Sequence, residues 1–210
     1  MAHPDRITPL VGSRICHDLI NPLGAISNGV ELLSMTPGAG GPEIALISES
    51  VEAANARIRF FRIAYGFTSD TQTLEDDEIS QVLAGMSLGG RHRLAWSAPG
   101  SHPRAEVRLI FLLLQCLETA MPQGGSIEVT GHKGAWGVRG SAERFSDVAG
   151  LWSIITKGHD PQDLAAAHVQ FALVAMLQEE MGLMIDLVQG SGDISLSITA
   201  FDKRADTEAG

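Results

Sequence analysis

The sequence predicts an α+β chain in which a helical hairpin is followed by a mixed unit of helices and strands. Two observations predict this fold. Apolar residues recur every three or four positions through the N-terminal third of the chain. After a polar linker at Thr68–Thr73, short helical stretches alternate with strand-like ones. The expected units are residues 1–67 and 74–201, with a disordered polar tail at 202–210.

Composition excludes several classes of protein. The 210 residues are 44% hydrophobic and 19% charged, as in a globular protein. No apolar run approaches the roughly 20 residues that span a bilayer, and the first residues lack the features of a secretory signal, so we expect a cytoplasmic protein. The net charge of −10 argues against nucleic acid as a ligand. Neither the two cysteines nor the scattered histidines have metal-ligand spacing, so no metal site is predicted.

The N-terminal unit is predicted to be a hairpin of two long helices. Glycine and proline between Met35 and Pro42 mark the connecting loop. Two antiparallel helices leave each apolar stripe half covered, and full burial of a large apolar side chain is worth about 1.5–3 kcal/mol. We therefore expect a homodimer in which two hairpins form a four-helix bundle. The stripes are Ile15, Leu19, Leu23, Ile26, Val30 and Leu33 in the first helix, and Ile44, Ile47, Val51, Ala54, Ile58, Phe61 and Tyr65 in the second.

The second unit is predicted to contain both helices and strands. The segment Gln189–Asp193 is typical of a tight turn between two strands. The expected helices are Leu74–Met86, Arg104–Met121 and Leu164–Met181, and the expected strands are Arg93–Ser97, Ser126–Gly131, Trp136–Gly140, Leu183–Val188 and Ile194–Phe201.

A histidine in the first helix is the leading functional candidate. At 100° per residue, His17 lies nearly opposite the apolar stripe and faces solvent. Imidazole is nucleophilic near neutral pH and suits phosphoryl transfer. Asp18 could orient the ring or accept its other proton, and Asn21, one turn further on, could bind an incoming phosphoryl oxygen. The same face carries Arg14, Gly24 and Asn28.

The context separates His17 from an ordinary surface histidine of a bundle helix. A proline inside a continuing helix costs roughly 3 kcal/mol, so Pro22 needs a reason other than packing. A local kink that shapes the surroundings of the histidine would be one such reason.

His17–Leu23 resembles the H-box of two-component histidine kinases, where a histidine, an acid and an Asn-Pro or Thr-Pro pair lie on the first helix of a dimeric hairpin. Asn28–Leu33 and Arg59–Gly66 extend the resemblance. Over essentially the whole chain, the sequence is similar to the ChpT-type histidine phosphotransferases of alphaproteobacteria.

Leu112–Leu117, followed by Pro122–Val129, is similar to the ATP-binding segment of the kinase catalytic domain. However, Leu112 and Cys116 stand where that segment carries asparagines, one of which coordinates magnesium. An aliphatic chain and a thiol are poor ligands for a hard cation. An Asp-x-Gly-x-Gly box and a nucleotide lid are also missing. The resemblance thus implies a degenerate ATP-binding domain without a cofactor, kept as a partner platform or as structural support.

We hypothesise a dimeric histidine phosphotransferase that relays a phosphoryl group between receiver-domain aspartates through His17, without ATP hydrolysis. The donor would be the receiver of a hybrid kinase and the acceptor that of a response regulator, with magnesium supplied by the receiver. Arg14, Ile20, Gly24 and Asn28 are the predicted partner contacts. Two alternatives remain open: a divergent kinase that autophosphorylates from ATP, and a non-catalytic module that binds response regulators.

Overall fold

The computed structural model describes residues 4–35, 41–67, 71–88, 90–159 and 163–200, and these residues form the predicted α+β fold. The predicted tail at 202–210 and Phe201 lie outside the described residues. The helices are α1 (Pro4–Met35), α2 (Pro42–Ala64), α3 (Asp76–Ser87), α4 (Arg104–Ala120), α5 (Ala149–Lys157) and α6 (Val169–Glu180), with a short 3-10 helix at Ala166–His168. The strands are β1 (Thr73–Glu75), β2 (His92–Ser97), β3 (Ser101–Pro103), β4 (Gly125–His132), β5 (Ala135–Ser141), β6 (Leu183–Gln189) and β7 (Asp193–Ala200).

Helices α1 and α2 pack against each other as the predicted hairpin. Asn21 of α1 lines one cavity together with Ser50 of α2. Arg14, which precedes Asn21 in α1, lines a second cavity together with Phe61, which follows Ser50 in α2. The two helices are therefore antiparallel. Pro22 is buried and α1 continues through it.

The second unit is a twisted sheet with helices on one face. Its strand order is β2-β4-β5-β7-β6, with β2 and β4 parallel and the other neighbours antiparallel. Alternate residues such as Ile127 and Val129 of β4 are buried, while Glu128 between them is exposed. Because successive side chains of a strand point to opposite faces, one face of the sheet meets helices α4, α5 and α6 and the other faces solvent.

The end of the hairpin shares its core with the second unit. Phe60 is almost completely buried, and its ring stacks on Phe111 of α4 with centroids 4.7 Å apart. Ile63 and Ala64 belong to the same buried cluster. The division of the chain at residues 68–73 stays a prediction, and packing is continuous across it.

Arginines of α4 also hold the end of α2. Arg104 Nη2 donates to the carbonyl of Arg62 at 2.7 Å, and Arg108 Nε donates to the carbonyl of Ala64 at 3.3 Å. The last carbonyls of a helix have no partner within the helix, so these bonds cap α2 from the neighbouring unit. The base of the hairpin is thereby fixed against α4.

Several predicted boundaries were wrong. The helix expected from Leu74 begins at Asp76, because Thr73–Glu75 pairs as β1 with Ser101–Pro103, a strand that periodicity did not indicate. The helix expected over Leu164–Met181 begins only with the 3-10 turn at Ala166. Helix α5 was not predicted, although the left-handed Gly158 marks its end in the usual way.

Part of the predicted apolar stripe of the first helix is also not buried. Leu23 and Val30 are 58% and 53% exposed. The face of α1 that meets α2 is instead centred near Pro22 and Gly29, which are buried. Two packed helices cover only a narrow strip of each other's surface. Part of the wider apolar stripe of α1 therefore lies outside the contact with α2.

Candidate functional site

His17 lies on the outer surface of α1, and the prediction that it faces solvent is confirmed. Its side chain is 79% exposed, and its Nδ1 atom lies 3.1 Å from Oδ1 of Asp18. A carboxylate can only accept a hydrogen bond, so this contact favours the imidazole tautomer that carries its proton on Nδ1. In that tautomer Nε2 has a free lone pair.

The other carboxylate oxygen of Asp18 binds Arg14. Nε of Arg14 donates to Oδ2 of Asp18 at 2.7 Å, one turn along the same helix. Nη1 of Arg14 donates to the backbone carbonyl of Ala167, in the 3-10 helix of the second unit. Asp18 thus connects the phosphoacceptor candidate to an arginine that joins the two units.

This arrangement corrects the prediction that Arg14 lies open on the histidine face. Only 15% of its side chain is exposed. The reason is tertiary, because α1 runs against the 3-10 helix and α6, which cover this edge of the helix. Helical spacing places Arg14 near His17 but contains no information about a contact with residues so distant in sequence.

The remaining predicted site residues lie open on α1. Asn21 follows His17 by one turn and is exposed, as are Gly24 and Asn28 further along. A Cβ atom at Gly24 would meet nothing within 4 Å, so this stretch of helix is unobstructed. Ile20 is 63% exposed. The roles assigned to these residues stay predictions.

A cavity of about 360 Å³ lies beside His17, between the hairpin and α4. The hairpin contributes His17, Asn21 and Arg57 to its wall, and the second unit contributes Arg91 and Glu118. Charged groups of both signs therefore surround one side of the imidazole. Spacing along the chain does not indicate the residues of the second unit, because they come from separate elements.

Glu118 and His92 form a pair in this cavity wall. Nε2 of His92 donates to the carbonyl of Met121 at 2.7 Å, and its Nδ1 lies 3.9 Å from Oε1 of Glu118. Burial raises the pKa of Glu118, while the neighbouring His92 acts in the opposite direction. The carbonyl contact thus satisfies Nε2 of His92 within the protein.

The segment that resembles a nucleotide site is covered by protein. Leu112 and Cys116 of α4 are completely buried, and this burial raises the pKa of the Cys116 thiol. Tyr65, at the end of the hairpin, donates to Oε1 of Gln115 at 2.6 Å on the same helix. The hairpin and α6 thus pack against α4, the helix that carries Leu112 and Cys116.

The chain belongs to the histidine phosphotransferase family. Residues 76–193, more than half of the chain, match the family described as the histidine phosphotransferase C-terminal domain. The protein is therefore a histidine phosphotransferase.

Two particular relatives extend this match to the whole chain. Protein phosphotransferase ChpT of Brucella abortus (strain 2308) is 32% identical over 197 residues, which cover 90% of this chain and 92% of the relative. The 1.7 Å structure of a bacterial phosphotransferase has a TM-score of 0.78 at 27% identity and covers 94% of this chain and 98% of that one. The likeness thus includes the hairpin as well as the sheet.

In the part of the chain that the structure describes, no helix is both long and apolar enough to span a bilayer.

Proposed function

We propose that His17 is the phosphoacceptor of this phosphotransferase and that it relays a phosphoryl group between the aspartates of two receiver domains. The observation that carries the proposal is that the His17 side chain is both exposed to solvent and oriented by Asp18. The imidazole of His17 is 79% exposed, and Asp18 occupies its Nδ1 side. Nε2 is then the nucleophile and points away from the carboxylate.

The transfer is a substitution at phosphorus in each direction. The lone pair of Nε2 attacks the phosphorus of the aspartyl phosphate, a P–N bond forms, and the P–O bond to the receiver breaks, which returns its carboxylate. The ring keeps its Nδ1 proton and becomes cationic, and Asp18 lies 3.1 Å away to stabilise that charge. In the second half, an acceptor carboxylate attacks the phosphorus and the P–N electron pair returns to Nε2.

We infer that this chain supplies the nucleophile while the receiver supplies the magnesium ion. Positioning and neutralisation of charge dominate phosphoryl transfer, and a metal on the partner would serve that purpose. The buried Leu112 and Cys116 support a chain that binds no cofactor of its own, since neither side chain offers oxygen to a cation. A cytoplasmic location stays a prediction.

We also infer that the protein is a homodimer through its hairpin. Leu23 and Val30 on α1 are exposed apolar residues one heptad apart, and Ile44, Val51 and Ile58 on α2 are exposed at the same repeat. Such a seam is typical of helices that pack against further helices. A second hairpin would complete a four-helix bundle and leave His17 on its outside.

The name of the Brucella relative supports a place in a phosphorelay of two-component signalling. Receiver domains of a hybrid kinase and of response regulators are the partners that we propose, with the open face of α1 near Ile20, Gly24 and Asn28 as the contact surface.

The test is transfer of label from a ³²P-charged receiver of the same organism to the purified chain, with labelled ATP alone in parallel. Label should arrive from the receiver and not from ATP, and His17→Gln should abolish it. His132→Gln, which alters an exposed histidine on β4, is the matched control and should transfer normally. Label on His17→Gln would refute the assignment, while label from ATP would identify a kinase.

A binding measurement tests the remaining alternative. A module that only sequesters response regulators would bind the charged receiver as tightly after His17→Gln and would never carry label. A phosphotransferase carries label before it releases the receiver.

A further inference from the structure

Arg14 joins the phosphoacceptor helix to the second unit through two separate nitrogen atoms. Its Nε donates to Asp18, and its Nη1 donates to the carbonyl of Ala167. Asp18 in turn contacts Nδ1 of His17. A continuous line of polar contacts therefore runs from the backbone of the second unit to the imidazole ring.

We propose that Arg14 is a positioning residue for phosphotransfer and that the second unit, through the Ala167 carbonyl, fixes the tautomer and orientation of His17. This inference rests on the proposed role of His17 as phosphoacceptor. It gives the second unit a part in the reaction without nucleotide binding.

The geometry explains why an arginine is needed. The guanidinium is planar and presents Nε and Nη1 in a rigid fork, so it reaches a carboxylate and a carbonyl at once. Nε is 2.7 Å from Oδ2 of Asp18, which leaves Oδ1 directed at His17. Without Arg14, Asp18 could rotate about its own side-chain bonds and the ring would lose its fixed partner.

Burial separates this role from receiver binding. The side chains of Arg14 and Asp18 are only 15% and 22% exposed, whereas that of His17 is 79% exposed. An approaching receiver thus meets the imidazole, while Arg14 lies behind it against the 3-10 helix. The hydrogen bond on one ring nitrogen determines which nitrogen is the nucleophile. Arg14 therefore influences phosphotransfer through Asp18, without contact with the receiver.

The first measurement uses the unmodified protein. ¹⁵N chemical shifts of the His17 ring, assigned by comparison with His17→Gln, report the tautomer directly. We expect the form with the proton on Nδ1 to predominate at a pH where the ring is neutral. A predominant Nε2–H form would overturn the proposal even if every Arg14 variant failed to fold.

The second measurement compares variants in single-turnover transfer from a ³²P-charged receiver. Arg14→Met keeps the apolar stem and removes the fork, and it should mix the two tautomers and slow transfer about tenfold. Arg14→Lys keeps the charge but cannot reach both acceptors, so it should not restore the rate. Arg59→Met, an exposed arginine on α2, is the control and should behave as the wild type.

The outcomes distinguish this inference from the proposed function. If His17→Gln abolishes label but Arg14→Met transfers at the wild-type rate with an unchanged tautomer, His17 remains the phosphoacceptor and the positioning role is wrong. Full rescue by Arg14→Lys would show that charge alone suffices and would remove the second unit from the proposal. Label that persists in His17→Gln would instead reject the proposed function itself.

Discussion

Nδ1 of His17 lies 3.1 Å from Oδ1 of Asp18, the next residue in the same helix. Neighbouring helix positions diverge by about 100°, and their side chains seldom meet. Here a carboxylate held by Arg14 meets the ring from the side, so the two residues act as an oriented pair.

This pair leads to the first prediction. Asp18→Asn replaces an obligate acceptor by an amide that can also donate, so the ring is no longer held in one tautomer. We expect transfer to His17 to slow about 10- to 100-fold while the helical content stays unchanged. Single-turnover transfer with circular dichroism checks this, with Asp186→Asn on β6 as the control. Equal rates for the two variants would show that Asp18 does not orient the ring.

The second prediction concerns the dimer. Leu23→Glu or Ile58→Glu places a charge in the exposed apolar seam of the hairpin, where each side chain is worth about 1.5–3 kcal/mol when buried. Either variant should sediment as a monomer in analytical ultracentrifugation. Val188→Glu changes another exposed apolar residue, on the edge strand β6, and should stay dimeric. A dimer that survives both hairpin changes would place the interface elsewhere.

The third prediction tests the core that joins hairpin and sheet. Phe60→Ala removes a ring that stacks on Phe111, and such a truncation costs about 3–5 kcal/mol of unfolding free energy. Urea denaturation should show this loss. Phe67→Ala removes a ring that is 89% exposed, and it should change stability by less than about 0.5 kcal/mol. Similar losses for both would contradict the described packing.

The fourth prediction concerns pH. Because burial raises the pKa of Glu118 in the folded chain, folding favours its protonated form. Its contribution to stability is fully present below the unfolded pKa of about 4.3 and is lost as the pH rises through the folded value. Glu118→Gln imitates the protonated form, so it should be more stable than the wild type at pH 7 and no more stable near pH 4.

Thermal unfolding across this range measures the difference. Glu52→Gln, an exposed residue on α2, is the control and should follow the wild type at each pH. A Glu118→Gln variant that is less stable than the wild type at pH 7 would mean that the attraction of His92 outweighs burial.

The sequence predicts what depends on local periodicity. In the hairpin and in α4, apolar residues repeat about every 3.6 residues, and in β6 and β7 about every second residue. The structure contains helices and strands at these places, as the local pattern predicts. By contrast, β1 and β3 are too short to show a pattern, and each is a strand only because the other pairs with it. Such elements depend on contacts that a single window of sequence does not contain.

The same distinction applies to the site. The exposure of His17 follows from its position on α1, and the residue type indicates its chemistry. The covering of Arg14 by Ala167 and the presence of Glu118 in the cavity wall require the second unit to pack against α1. The sequence therefore predicts His17 as the nucleophile and Asp18 as the residue that orients it, but it does not indicate the contact of Arg14 with Ala167 or the place of Glu118.

The position of the phosphoryl group on the protein tests the proposed role of His17 most directly. The ¹⁵N-histidine-labelled chain is charged by a phosphorylated receiver and its phosphohistidine is examined by ³¹P–¹⁵N NMR. The proposed role of His17 predicts one phosphohistidine, at His17, with phosphorus bonded to Nε2, because Asp18 occupies the Nδ1 side. A phosphoryl group on Nδ1 of His17, or on another residue, would contradict it.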